Sequence, residues 1–434
     1  MEKLEAFLSK WLLPIAAKLE QNPQMAAIRR AMMTLVPVTL IGSLPTMFTQ
    51  LSGFTNLPAF LTAAIGYMAK ITAPLAFPTM GCLGVYVAIF IGYYYSEERK
   101  VWNIGAMVTA LASFLAVATL TTEAGATDVS YYGGSGIFTA IVVGLFSVEI
   151  LSIFRNKLNF TINLGEGVPT PIKRSFENLW PILFSLLIIA TLKLIIESVT
   201  GVAVVKLVEA LFAPLTASVN TLPGILFILF MTQLLWWFGI HGYAVMAPVW
   251  LAVAFANVET NAVFAAGTSS TFMVVTPDFF WNLAGVTGSG ITGALCFLMA
   301  TSKAKQYKAI GRISIVPAFF GIGESVIFGI PVMLNPVMFI PWLLSAPIAA
   351  IIGWVAISSG FMKPFSLVSP YLPIPFGALI ACMDWKYLIV LALILVSAVL
   401  IYLPFFKICE KQAIEAEESA SKDTRTLEDV DLDF

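Results

Sequence analysis

Glu324 is the residue whose type is hardest to reconcile with its neighbours. It sits in GIGESVIFGIPVMLNP, with glycines at 321, 323 and 329 and no basic residue within ten positions on either side. An ionised carboxylate at the centre of a bilayer costs about 2.5–3.5 kcal/mol on insertion scales, so a carboxylate kept there needs a reason. One reading is a hydrogen-bond acceptor for a substrate, at the tip of a re-entrant loop. The other is a loop brace, protonated or bonded to backbone amides. His241 is the single histidine, in QLLWWFGIHGYAVMAP, between Gly239 and Gly242 and just after Trp236 and Trp237. It reads equally as a ligand contact or as a satisfied interior imidazole. Asn282 opens the glycine-rich run WNLAGVTGSGITGALCFLMATSKAK. That run lacks the GxxxxGK[ST] spacing of a phosphate-cradling loop, but its backbone amides can face a hydroxylated ligand. Aromatic rings beside hydrogen-bonding groups suit a sugar, which offers a C–H face to stack and hydroxyls to bond. Trp236, Trp237, Trp281 and Trp342 also suit packing at a membrane interface. One histidine and four scattered cysteines (Cys82, Cys296, Cys382, Cys409) suggest neither a metal site nor a disulfide framework. No cofactor-binding fingerprint is present.

The elements that carry these residues belong to a membrane. Of 434 residues, 59% are hydrophobic and 11% charged, with a net charge of -1. Soluble domains carry about 25% charged residues, so an ordinary soluble enzyme, a disordered chain and a nucleic-acid binder are all excluded. Apolar segments near the ~20 residues that cross a bilayer run through 31–51, 75–95, 101–120, 137–154 and 179–199. Five more run through 221–238, 243–255, 285–300, 336–357 and 387–406. This predicts an all-α membrane protein of about ten transmembrane helices. Two apolar stretches, 257–282 and 313–335, contain Gly, Pro, Asn and acids. Helix breakers at membrane depth belong inside protein or beside a cavity, so both read as re-entrant hairpins. Residues 1–20 read as an interfacial amphipathic helix and 201–214 as a helix on the membrane linking two halves. Residues 410–434, with nine acids and three bases, read as a charged, solvated tail. The basic clusters at 99–100, 155–157, 173–174 and 303–312 fall on one side, which places both termini in the cytoplasm under the positive-inside rule.

Three runs carry a resemblance to a known family: FGIHG; GSGITGALCFLMATSKAKQYKAIGRISIVPAFFGIGESVIFGIPVMLNPVMFIPWLLSAP; and IYLPFFKICEKQ. They resemble the membrane-embedded IIC subunit of the bacterial phosphoenolpyruvate-dependent phosphotransferase system, in its lactose/cellobiose/N,N'-diacetylchitobiose class. PIAAKLEQNPQMAAIRRAMMTLVPVTLIGS resembles it more loosely. The resemblance implies a homodimer in the bacterial cell membrane. Residues 1–200 would form the scaffold and dimer contact. Residues 201–409 would hold one disaccharide between the hairpins and move as an elevator. It implies that His241 and Glu324 contact the 6-hydroxyl to be phosphorylated, orienting it and accepting its proton as it attacks phosphorus. Trp237, Gly242, Asn282, Gly323 and Ser325 would complete the pocket. No cofactor is implied. The phosphate would come from a separate phosphorylated IIB protein, with IIA upstream, so this chain would not be a complete enzyme by itself. The family usually has Asn-Glu-Pro in the glutamate loop, whereas this chain reads Gly323-Glu324-Ser325. An ion-coupled secondary sugar transporter is the alternative, because such proteins also use broken helices near the midplane.

Overall fold

The computed structural model describes residues 18, 21–52, 58–121, 125–162, 164–165, 167–323, 326–327, 332–333, 335–369 and 372–428. Side chains are described for the same residues except 36, 40, 43, 46, 50, 244 and 420–428. Glu324, Ser325 and nearly all of residues 1–20 therefore lie outside the described residues. The rest is almost wholly helical, with a single two-stranded antiparallel ribbon pairing Leu120–Thr121 with Thr127–Asp128 among the described residues.

Among the described residues, six helical segments are long and apolar enough to cross a membrane: Ala59–Arg99, Gly134–Lys157, Thr170–Thr200, Pro277–Ala300, Phe339–Ser358 and Tyr387–Ser419. A seventh span results if Val204–Val219 and Leu222–Trp237, bent by 80° at their junction, are taken together. The surface matches this reading. Leu194, Val199, Phe227, Ile313 and Leu400 are all more than 60% exposed, where a water-soluble protein would place polar groups.

The helices Leu83–Arg99, Asn103–Ala118 and Ile137–Ser152 pack on one another. Gly92 lets two of them touch, since a Cβ there would lie 2.8 Å from Met107 Cα. Small residues at the contact are the usual device where lipid removes the hydrophobic drive for helix association. Outside that contact, Arg99 pairs with Glu149 at 2.6 Å, and Tyr95 donates to the same carboxylate at 2.8 Å.

The 24-residue helix Gly242–Ala265 joins the N-terminal and C-terminal parts of the chain. It packs on Pro23–Thr34, which begins with Asn22 as N-cap, its side chain accepting from Gln24 N and Met25 N. Such caps satisfy otherwise orphaned N–H groups. From the same long helix, Glu259 accepts the backbone N–H of Gly134, and its carboxylate fills the space beside Gly133 where a Cβ would go.

The last helix, Tyr387–Glu428, has 42 residues. It runs without a break from the apolar span into the segment expected to be a solvated tail. Glu410 departs from that expectation, with only 5% exposure. It accepts from Ser302 Oγ at 2.7 Å and Lys303 N at 2.8 Å, and pairs with Lys407 at 2.7 Å. Seven residues on, Glu417 accepts from Lys305 N and Gln306 N, at the start of the helix Lys305–Phe319. A carboxylate beside free helix-start amides is favourable on both hydrogen-bond and dipole grounds. Glu410→Ala strands the buried Ser302 hydroxyl and removes the acceptor of the partly buried Lys303 N–H. The expected cost is ~1–3 kcal/mol, read as a lower thermal midpoint in detergent. An unchanged midpoint would show that water replaces the carboxylate.

Candidate functional site

The sequence creates a wall by ending helices early. Leu222–Trp237 starts on Thr221, whose hydroxyl accepts from Gly224 N, with a proline in the first turn. Those are ordinary helix-start signals. The helix stops at Trp237, and Gly239 turns the chain with φ 81°. Gly242 then fits against the backbone carbonyl of Thr232, where a side chain has no room. This reversal brings His241 back over the helix end, its ring centroid 4.4 Å from that of Trp236.

A second wall comes from the broken segment between Pro277 and Ala300. Thr276 caps a short helical turn, with Pro277 at its start. The turn widens into a π-turn over Phe280–Ala284, a distortion common at functional sites. Gly288 at φ 106° and Gly290 at φ 72° prevent a continuous helix until Thr292. Tyr402 O–H donates to Gly290 O, and the Trp342 ring sits where a Cβ of Gly290 would be.

The third wall is the chain after the helix Lys305–Phe319. A Cβ on Gly288 would lie 2.8 Å from both N and Cα of Gly323. A Cβ on Gly323 would collide with Thr292 Oγ1. The two loops therefore meet closely, Gly288 against the Gly323 backbone and Gly323 against the Thr292 side chain. This gives a steric counterpart to the Gly323-Glu324-Ser325 departure, because an asparagine at 323 would collide with Thr292.

These walls, with Ser369, Leu372 and Ile374, enclose a cavity of about 380 Å³, within the ~300–1,000 Å³ span of small-molecule sites. Aromatic rings dominate one side. Trp250 stacks on Phe280 with centroids 3.8 Å apart, and Trp281 donates its indole N–H to the Tyr243 hydroxyl at 2.9 Å. The polar lining is uncharged: Thr232, Gln233, Asn282, Ser289 and Ser369, with His241 the only titratable nitrogen among the described lining residues. Trp236 also lines the space, and its buried Nε1 has no hydrogen-bond partner among the described residues. A buried donor of that kind calls for a ligand or water oxygen.

His241 and Asn282, two of the residues expected from sequence, line this one cavity. Gly321 and Ile322 line it as well, immediately before the glutamate loop. Gly323 is buried beside it against Gly288. Gly242 supports the reversal that carries His241 and is not part of the lining. Trp237 is enclosed elsewhere, 2% exposed, with its indole donating to Asn335 O and its ring against Phe339. Trp236 takes the place in the wall. Asp278 was not singled out from sequence and is completely buried. It accepts from Asn282 Nδ2 at 2.7 Å and from Ser369 N at 3.1 Å on each oxygen. Its signal was local: Thr-Pro-Asp inside an apolar stretch is a helix-start pattern. Among the described residues no group of His, Cys, Asp and Glu is placed to hold a metal.

The family model described as "Phosphotransferase system, EIIC" matches residues 29–346. The chain is 31% identical over 424 residues to the PTS system lactose-specific EIICB component of Streptococcus mutans serotype c, covering 94% of this chain and 73% of that one. It is 26% identical over 435 residues to the PTS system oligo-beta-mannoside-specific EIIC component of Bacillus subtilis, covering 96% and 97%. Among solved structures it is similar to the transporter ChbC, the IIC component from the N,N'-diacetylchitobiose-specific phosphotransferase system. That match has a TM-score of 0.84 and 26% identity, covering 95% of this chain and 99% of that one.

Proposed function

Because the chain belongs to the EIIC family of the phosphotransferase system, we propose that it is the multi-pass cell-membrane permease that binds a β-linked disaccharide and presents it for phosphorylation by a IIB partner. The observation that carries the substrate class is the cavity: aromatic faces and hydrogen-bonding side chains, with no lysine or arginine among its described lining residues. A neutral sugar suits such a lining, and a free phosphate or carboxylate does not. The relatives are named for lactose, oligo-β-mannosides and N,N'-diacetylchitobiose, which supports a disaccharide.

Within this reading, His241 and Glu324 share the 6-hydroxyl of the non-reducing sugar. The imidazole positions it and the carboxylate accepts its proton. Asn282, Gly323 and Ser325 border the same sugar, and Trp236 stacks on it or donates its orphaned N–H. Gly242 and Trp237 hold the reversal from behind. The segments 257–282 and 313–335 act as re-entrant hairpins within about ten spans, both termini are cytoplasmic, and residues 201–409 move against residues 1–200 of a homodimer like an elevator. The helix ending at Ala265, the cap at Thr276 and the turn at Gly321 support the hairpins.

The test is direct binding to the purified chain of cellobiose, lactose and diacetylchitobiose, followed by uptake into vesicles loaded with phosphorylated IIB. Micromolar binding of one sugar is expected, with uptake that stops when IIB is omitted and survives a protonophore. Uptake that dies with the proton gradient would instead make the chain an ion-coupled transporter. His241→Ala is expected to weaken binding by about ten-fold, the loss of one well-placed hydrogen bond. Unchanged affinity would return His241 to a packing role.

A further inference from the structure

Asn282 has one side-chain amide with two N–H hydrogens and one carbonyl oxygen. Both hydrogens are committed. Nδ2 donates to Asp278 Oδ1 at 2.7 Å and to Ser369 Oγ at 3.1 Å. An ionised carboxylate only accepts, so the atom of Asn282 facing Asp278 must be the nitrogen. Asp278 is itself held, because the backbone N–H of Ser369 reaches both its oxygens and Thr276 caps the turn on which it sits. The backbone of Asn282 is held too, its carbonyl accepting from the buried Tyr387 hydroxyl at 3.1 Å. Among the described residues nothing donates to Asn282 Oδ1. The one polar atom that Asn282 can still offer the cavity is an acceptor.

We propose that Asp278, by locking the Asn282 amide, sets the hydrogen-bond polarity of this wall: it accepts from a ligand hydroxyl or amide N–H and rejects a group that can only accept. Asp278 is thus a positioning residue that determines specificity through Asn282, without touching the ligand. Ser369 braces the pair, its oxygen receiving Asn282 and its side chain bonding the Asp278 carboxylate. The proposal rests on the cavity being the sugar site.

The experiment measures binding to the full-length purified chain of the best disaccharide and its monodeoxy and monofluoro analogues, each hydroxyl in turn. A fluorine keeps an acceptor and loses the donor. In the wild type, at one position other than the 6-hydroxyl, the fluoro analogue should bind no better than the deoxy analogue, and at least about ten-fold below the parent. Asp278→Asn lets the amide turn, so the fluoro penalty at that position should fall to about three-fold or less while the others persist. The double swap Asp278→Asn with Asn282→Asp returns an acceptor to position 282 and a donor to 278, and should restore rejection. A wild type that favours fluoro over deoxy at every position overturns the proposal, even if Asp278→Asn does not fold. So does an Asp278→Asn variant that weakens all analogues alike. A swap that fails to restore rejection also counts against it. If the wild type binds none of the sugars, the sugar-site reading falls first and takes the proposal with it.

Discussion

Glu324→Gln is expected to lower phosphorylation-coupled sugar uptake by at least about a hundred-fold. General-base assistance contributes roughly 10²–10⁴ to rate, and the amide keeps the side chain's shape while losing its capacity to take a proton. Binding should suffer far less, because glutamine still accepts a hydrogen bond. The informative measurement is the pair: sugar affinity by calorimetry, and phosphorylation with purified phosphorylated IIB. Near-wild-type phosphorylation in the variant would make Glu324 a brace for its loop. A collapse of both quantities together would mean that the carboxylate grips the sugar but takes no proton.

Gly288→Ala should be a damaging change at a residue with no functional group. Its φ of 106° and ψ of 168° lie in a region essentially reserved for glycine, where another residue costs of order 1–3 kcal/mol. The new Cβ would also lie 2.8 Å from the backbone of Gly323 and 2.6 Å from Thr292 Oγ1. Both strains act on the junction between the two loops beside the cavity. Sugar affinity is expected to fall at least ten-fold, along with a lower melting temperature. Gly267→Ala is the control. That glycine also has a positive φ, 74°, but nothing lies within 4 Å of its missing Cβ. It should cost some stability and leave affinity unchanged. Equal affinity losses in the two variants would mean that backbone strain alone is responsible, not the loop junction.

The membrane class was legible because composition is a global property: 11% charged residues cannot cover a water-facing surface, whatever the fold. His241 and Asn282 were legible because each is a polar residue flanked by glycines or a turn in an otherwise apolar stretch. The choice between Trp236 and Trp237 was not. Successive helical residues point about 100° apart, so which one faces a cavity depends on how the helix is rotated against its neighbours, and that is set by Phe339 and Asn335 roughly a hundred residues away. Asp278 escaped for a similar reason. Its meaning comes from the Ser369 amide, 91 residues later, and no local pattern announces that pairing. Glu410 looked solvated because its sequence neighbours are charged, whereas Ser302 and Lys303 supply what buries it.

The final helix has a mechanical consequence. Forty-two residues at about 1.5 Å each make a rod with a contour of roughly 60 Å. Its middle is clamped to the turn at 302–306 by Glu410 and Glu417. Its apolar end lies against the cavity's support through Tyr387 and Tyr402. Under the proposed transport reading, a displacement of these walls is expected to carry the far tip with it. A dye attached near residue 428 would serve as a pointer for which way the binding site faces, and a protein seated on that tip would travel with the cargo.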